Sequence, residues 1–442
     1  MAAFMTRLRQ IKADLVTQSS DLLEQNIRLN VYHGIIANIA LNMVNPFVGI
    51  FAVRLGATNY QIGLVSSAPA LVGLLAMIPG GKFVDTRVDK KRWCAIFMLL
   101  HRLFYLLLAA IPFFTPDKRA GVLVLTLALM NLPGSIANVS WQGFISRVVP
   151  QKRRASAFAK RSLAMNVSGT IAVLIAGRLL DIITYPVGYQ LVFAAAFVFA
   201  FTEIWVFRHL QELPDAAEGA VTTEIPVKVF LAGLPRAIIS DLKEIVTKSR
   251  FMRFALTSIF FYFAWQVAWP LFTLYQVREL GATNQWVSIL NLSNTGGSLV
   301  GYGFWSKYME RNGSLKTLFV STLGMFVVPV VYAFSRSFYT IAFFNILTGA
   351  IFSGVMLSLF NSLLDMTPDE RKTTYIAYYN TAVTASAIFA PMAGVALLGL
   401  LGYRWAFLAT GALRLAGSLA FGLVYYLERR ESRNATDLSQ TG

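Results

Sequence analysis

The chain has a single cysteine, Cys94, so no internal disulfide can form. Histidine is almost as scarce: His33, His101 and His209 are dispersed and unlike a metal cluster. Charge is thin, at 14% of residues, and unbalanced, with 22 Asp and Glu against 39 Lys and Arg. No Gly-x-Ser-x-Gly elbow occurs. The phosphate-loop pattern also fails, because Gly81-Lys82 is followed by Phe83 and position 76 is Ala. These absences argue against a metalloenzyme, a serine hydrolase and a nucleotide-driven pump. No cofactor and no metal are expected.

What is abundant is hydrocarbon. Of 442 residues 56% are hydrophobic, and the mean hydropathy is +0.57. Several apolar runs reach the ~20 residues needed to cross a bilayer, and about twelve such spans fit in the chain. On a soluble protein the net charge of +17 would suggest nucleic acid. Here 30 of the 39 cations fall in alternate loops or ends, so the charge reads as topology and no nucleic-acid partner is expected. It puts both termini in the cytoplasm, with the chain in a cytoplasmic membrane. The first apolar run begins near Val31 after a polar lead, so no cleavable signal is expected. The partners to expect are a small solute and the bilayer, with the chain acting as a monomer.

The sequence repeats itself. Leu55-Gly56-Ala57-Thr58-Asn59 follows span 1, and Leu280-Gly281-Ala282-Thr283-Asn284 follows span 7. The same offset carries Lys82 onto Lys307 and Asp85 onto Glu310, and a slightly shorter one carries Pro150 onto Pro368. Matches in register at equivalent loops mark two homologous six-helix halves. The expected organisation is an interfacial segment at 1–30, a first bundle at 31–208, a cytoplasmic linker with an interfacial helix at 209–250, a second bundle at 251–428 and a tail at 429–442.

The loop between spans 2 and 3 carries a motif. It reads Gly81-Lys82-Phe83-Val84-Asp85-Thr86-Arg87-Val88-Asp89-Lys90-Lys91-Arg92. This resembles the signature loop between helices 2 and 3 of the major facilitator superfamily. Gly81, Asp85 and Lys90 match, whereas Phe83, Thr86 and Val88 depart from it. With the six-plus-six repeat, the resemblance implies an all-α polytopic fold of 12 membrane helices. It also implies that Asp85 meets the N-terminus of helix 11 when the inner side is shut. That terminus is written Thr367-Pro368-Asp369-Glu370, with a capping hydroxyl and proline at the first helical position. Its unpaired N–H groups attract a carboxylate. Glu310 would serve the second half in the same way, toward the helix after Pro150. Lys90, Arg92 and Arg154 are the cations expected around these gates.

The resemblance further implies that helices 1, 4, 7 and 10 line the solute path, and polar stripes fall on three of them. Span 1 carries Asn38, Asn42 and Asn45 at helical spacing. Span 4 carries Asn131, Asn138, Trp141 and Gln142, and span 7 carries Tyr262, Gln266, Trp269 and Thr273. Asn294 in span 8 and Tyr379 in span 11 join the candidate set. Amides are costly against lipid and should face inward. The plainer alternative is amide bonding between helices, worth about 0.6 kcal/mol each. Amides with Trp and Tyr suit a neutral polar or amphipathic solute.

Spans 1, 4, 7 and 10 hold no Asp or Glu in their central parts. The groups left for ion coupling are His33, Arg102, Glu203 and Arg414. His33 is expected to be a packing or interfacial histidine, and the other three to be ion-paired or snorkelling groups on bracing helices. The functional expectation is a secondary or facilitative transporter working by alternating access, not an enzyme. A proton-coupled multidrug or metabolite exporter is the alternative within that class. A transporter-like sensor or a membrane-embedded enzyme is the alternative outside it. Asp85→Asn should cut solute flux several-fold while the protein still inserts at wild-type levels. Unchanged uptake kinetics would remove Asp85 from the gate.

Overall fold

In the computed structural model the described residues are 2–85, 87, 89–149, 151–213, 239–240, 242–367 and 372–440. Side chains at 2–20, 78, 81–82, 85, 143, 146–147, 151–152, 154–156, 159, 372–374, 377 and 432–440 are outside the description. The gate residues Gly81, Asp85 and Arg154 therefore have helical backbone but no described side chain, and 368–371 lie outside altogether.

Helix is the only regular structure among the described residues. The first elements are α1 (Ala2–Val44), α2 (Val48–Arg54), α3 (Asn59–Asp85), α4 (Lys90–Ala110), α5 (Pro116–Val148), α6 (Gln151–Ile182) and α7 (Val187–Phe207). After a short helical stretch at 242–247 come α8 (Ser249–Gln266), α9 (Trp269–Leu274), α10 (Asn284–Asn312), α11 (Ser314–Gly324), α12 (Val327–Phe334), α13 (Phe338–Met366) and α14 (Lys372–Gln440). Among the described residues ten helical segments are long and apolar enough to cross a membrane. One of them, within α14, bends at Gly402, where φ is 69°, and joins two membrane lengths. Counting it twice and adding α10, which is 29 residues long but more polar, gives twelve.

The chain divides into two compact units. Unit 1 is Met1–Val48, Leu75–Thr115 and Thr126–Leu231; unit 2 is Gly49–Leu74, Pro116–Leu125 and Ala232–Gly442. Residues 49–74 and 116–125 thus group with the later part of the chain.

In unit 1, α1 packs on α6 and α7, and α4 packs on α7. The core beneath holds Cys94, Phe144, Val148, Phe207 and Leu210, each nearly or fully buried. Cys94 is plain packing, its Sγ 3.7 Å from the Ala137 carbonyl. α1 runs without interruption through position 30. Asn26 and Asn30 are fully buried. Asn26 exchanges two hydrogen bonds with the Gln211 backbone, at 2.8 and 3.1 Å, which ties the start of the linker to α1.

In unit 2, α10 lies against α13. The approach is close because Gly297 and Gly301 of α10 and Gly349 of α13 carry no Cβ; one placed on Gly297 would overlap the Ile346 carbonyl. α8 packs on α14 around Phe254, Phe261 and Phe421. The 242–247 stretch docks here through buried Ile245, and the Tyr375 hydroxyl donates to Glu244 Oε1 at 3.1 Å.

The repeat has a structural counterpart. Gly56 and Gly281 both take positive φ, 83° and 70°, which favours glycine because an added Cβ is strained there. Both are followed by threonine caps. The Gln61 N–H donates to Thr58 Oγ1 at 3.2 Å and the Thr58 N–H donates back to Gln61 Oε1 at 2.9 Å, forming a capping box. Thr283 Oγ1 accepts from the Trp286 N–H at 3.3 Å. One short sequence thus ends a membrane helix and starts the next in both places.

Gly297→Leu should lower stability by about 1–3 kcal/mol through overpacking, read as a fall in melting temperature in detergent. Gly296→Leu, one residue away with open space beyond its Cα, should melt like the wild type. Equal behaviour of the two variants would contradict the close packing.

Candidate functional site

Unit 1 contains a cavity of about 470 Å³ lined by apolar residues and by His33, His101, Arg102, Asn138, Trp141, Arg161 and Glu203. Four helices bring its charged groups together. Arg102 of α4 grips Glu203 of α7 in a fork, with Nε 3.0 Å from Oε2 and Nη2 3.2 Å from Oε1. Nη1 of the same arginine donates to the Tyr105 hydroxyl at 2.6 Å. Glu203 is 3% exposed and Arg102 is 6% exposed. A bidentate pair of this kind is what allows two ions to persist in a medium that cannot hydrate them.

His33 of α1 stands beside the pair, its Nε2 3.5 Å from Glu203 Oε1, longer than a formed hydrogen bond. Arg161 of α6 closes the set. Its Nη1 contacts the Asn30 carbonyl at 2.6 Å, Asn30 Oδ1 at 2.8 Å and His33 Nδ1 at 3.1 Å. A guanidinium has only N–H donors, so His33 Nδ1 must accept and the ring proton sits on Nε2, toward Glu203. With that tautomer the four groups carry two positive charges and one negative. Trp141 of α5 stacks on His33 at 6.1 Å and lies under the Arg161 guanidinium at 4.7 Å. Its indole N–H is enclosed without an acceptor among the described residues.

The sequence candidates scatter around this cluster. Asn138 and Trp141 line the cavity; Gln142 is exposed and donates to Asn138 Oδ1 at 3.4 Å. Asn38 donates to the Met165 carbonyl of α6 at 2.5 Å and Asn42 to the Asn38 carbonyl at 2.9 Å, with Gly169 making room for both amides. Asn38 therefore bonds across the α1–α6 seam, and Asn42 bonds back onto its own helix. Asn131 donates to Leu127 of its own helix at 3.3 Å.

In unit 2, Trp269 and Asn294 line a smaller cavity of about 250 Å³. Gln266 is buried and accepts from the Ser386 hydroxyl at 3.1 Å. Tyr379 is stacked on Phe254 at 5.7 Å in the apolar core, and Tyr262 packs against that core. Among the gate candidates Arg92 and Glu310 are exposed. The Arg92 backbone N–H donates to the cap Asp89 at 2.8 Å, and Lys90 opens α4.

The sequence reading missed Arg161, which it counted among the loop cations near 147–161; the structure buries it to 6% exposure. It also set His33, Arg102 and Glu203 apart from the cavity. Their presence in apolar spans was the available signal, since an ionisable group in a membrane helix is a functional candidate by default.

A helical membrane protein with buried polar cavities and a duplicated plan is a solute carrier in class. The chain matches the Major Facilitator Superfamily sequence profile over residues 34–261 and 254–441, and it belongs to that family. It is 25% identical over 422 residues, 91% of this chain and 96% of the relative, to the multi-drug resistance efflux pump PmrA of Streptococcus pneumoniae serotype 4. Solved structures share the fold. A bacterial homologue of the human lysosomal transporter Spinster, in an inward-facing unoccupied form, has a TM-score of 0.67 at 14% identity over 91% of this chain and 97% of that one. The nucleoside transporter NupG has a TM-score of 0.65 at 12% identity, with coverage of 91% and 99%. The xylose transporter XylE of E. coli, inward open, has 0.62 at 12% identity, with coverage of 90% and 95%. The protein is a multi-pass membrane transporter of small molecules, not an enzyme.

Proposed function

We propose that the protein exports small amphipathic solutes across the cytoplasmic membrane in exchange for protons, with the Glu203 cluster as the coupling site. It acts as a monomer with both termini in the cytoplasm, by alternating access. The observation that carries the proposal is that a carboxylate, a neutral histidine and two guanidinium groups are buried together on the wall of one cavity. Support for export of amphipathic solutes comes from the relative named as a multidrug efflux pump and from the apolar and aromatic lining around the charges.

The bonding suggests how solute and proton are linked. Glu203 accepts both oxygen contacts from Arg102 while ionised, and protonation would remove the charge that holds that fork. His33 can give its Nε2 proton to Glu203 only by taking another at Nδ1, which Arg161 now covers. Arg161 in turn rests on the face of Trp141. An aromatic or apolar solute stacking on Trp141 would compete with the guanidinium for that face. Displacing Arg161 uncovers Nδ1 and opens the route by which a proton enters or leaves Glu203, as exchange requires. Solute entry and proton transfer therefore meet at one side chain.

In everted membrane vesicles, wild-type protein should drive pH-gradient-dependent uptake of fluorescent amphipathic dyes. Glu203→Gln should lose at least nine-tenths of that uptake while retaining gradient-free exchange of labelled dye. Wild-type gradient-driven uptake by Glu203→Gln would exclude the cluster from coupling.

A further inference from the structure

Arg414, on the second membrane length of α14, is 1% exposed and has no carboxylate within ion-pairing distance among the described residues. Its Nη1 donates to the Met325 carbonyl at 3.2 Å and its Nη2 to the Trp265 carbonyl at 2.8 Å. Both acceptors sit where a helix breaks. Pro329 lacks the N–H that would otherwise bond Met325 four residues back, and Trp265 lies one residue short of the end of α8, where the chain turns toward Pro270. The guanidinium thus stitches two broken helices, which is a sufficient structural reason for some donors there. It is not a reason for a full positive charge: a neutral amide or an indole could donate to a carbonyl. Carbonyl dipoles and the face of Phe272, 5.6 Å from the guanidinium carbon, still leave it without a counter-charge, unlike Arg102 with Glu203. Nε carries a third N–H, enclosed and without a partner.

The same side chain borders the 250 Å³ cavity of unit 2, whose other walls include Trp265, Trp269, Phe352, Asn294 and Thr348. The aromatic rings offer flat apolar faces, and Trp265 lies 5.9 Å from Trp269 and 5.5 Å from Phe352. The volume falls just under the ~300–1,000 Å³ of drug-sized sites. A buried cation short of a counter-charge, beside a small aromatic chamber with amide groups, fits one kind of occupant. We infer that this cavity binds a small aromatic carboxylate, its anionic group on Arg414 and its ring against the aromatic wall that Trp265, Trp269 and Phe352 form. The inference rests on the transporter reading only for what becomes of the bound anion; binding itself is independent of proton coupling.

The test is equilibrium binding to the purified full-length protein, followed by thermal shift and by quenching of tryptophan fluorescence. Benzoate is the ligand, and benzamide, nearly the same shape without the charge, is the control. Benzoate should bind at least tenfold tighter than benzamide, and chloride or inorganic phosphate at matched ionic strength should not displace it. Arg414→Gln should erase the preference. Because that variant also loosens the two broken helices, Thr348→Glu provides a second arm. A carboxylate supplied from the facing wall should raise the melting temperature and abolish benzoate binding. The inference is overturned if benzoate and benzamide bind alike, if either variant binds benzoate as the wild type does, or if inorganic anions or an anionic lipid headgroup in nanodiscs occupy the site instead. No gradient is imposed, so failure here leaves the dye-transport result standing, and loss of coupling in Glu203→Gln leaves benzoate binding intact.

Discussion

The Arg102–Glu203 fork is the contact on which the first unit turns. In hydrocarbon an ion has no water to fall back on: a lone carboxylate is neutralised, and a guanidinium, which keeps its charge, must find acceptors. The fork joins α4 to α7 with two hydrogen bonds and adds Tyr105 as a third acceptor for the arginine. His33 and Arg161 bring α1 and α6 to the same point. Four helices are therefore positioned by one electrostatic knot, and its charge balance changes when a single proton binds. Such a knot is poorly suited to be mere glue. Apolar residues of similar volume commonly hold helices as well or better.

The second unit solves the burial problem differently. Small residues let α10 and α13 touch backbone to backbone, and side-chain hydroxyls turn back onto their own helices, as Ser358 does to Gly354 at 2.6 Å and Thr410 to Phe407 at 2.8 Å. Its one fully enclosed guanidinium among the described residues spends two donors on carbonyls beside broken helices. The two units thus handle a cation in contrasting ways, one with a carboxylate and one with backbone dipoles. That contrast underlies the two proposals, proton exchange at the first site and anion binding at the second.

Much of the architecture could be read before any coordinates. Loop cations gave the alternation of the spans, and the repeated Leu-Gly-Ala-Thr-Asn gave the duplication because a left-handed glycine and a threonine cap are needed at the same joint twice. Residues 49–74 and 116–125 group with the second unit through contacts that no local pattern records. The site was only half legible. Asn138 and Trp141 were found because amphipathic spacing marks a polar face. Asn38 and Asn42 share such a face, yet Gly169 on α6 opens the seam, where Asn38 bonds to α6 and Asn42 bonds back onto α1. Arg161 was hidden by its neighbours: beside a run of loop cations its burial has no local signature. The pairing of Arg102 with Glu203 spans 101 positions and depends on how the helices pack.

The proposed coupling links solute at Trp141 to a proton at Glu203 through Arg161 and His33. Proton exchange on solute binding measures that link directly. It is followed with a pH indicator in weakly buffered detergent solution, using a solute that raises the melting temperature of the purified protein. Wild-type protein should exchange close to one proton per bound solute, and Glu203→Gln should bind the same solute with none. Equal proton exchange by the two proteins, or none by the wild type at saturating solute, would contradict the coupling.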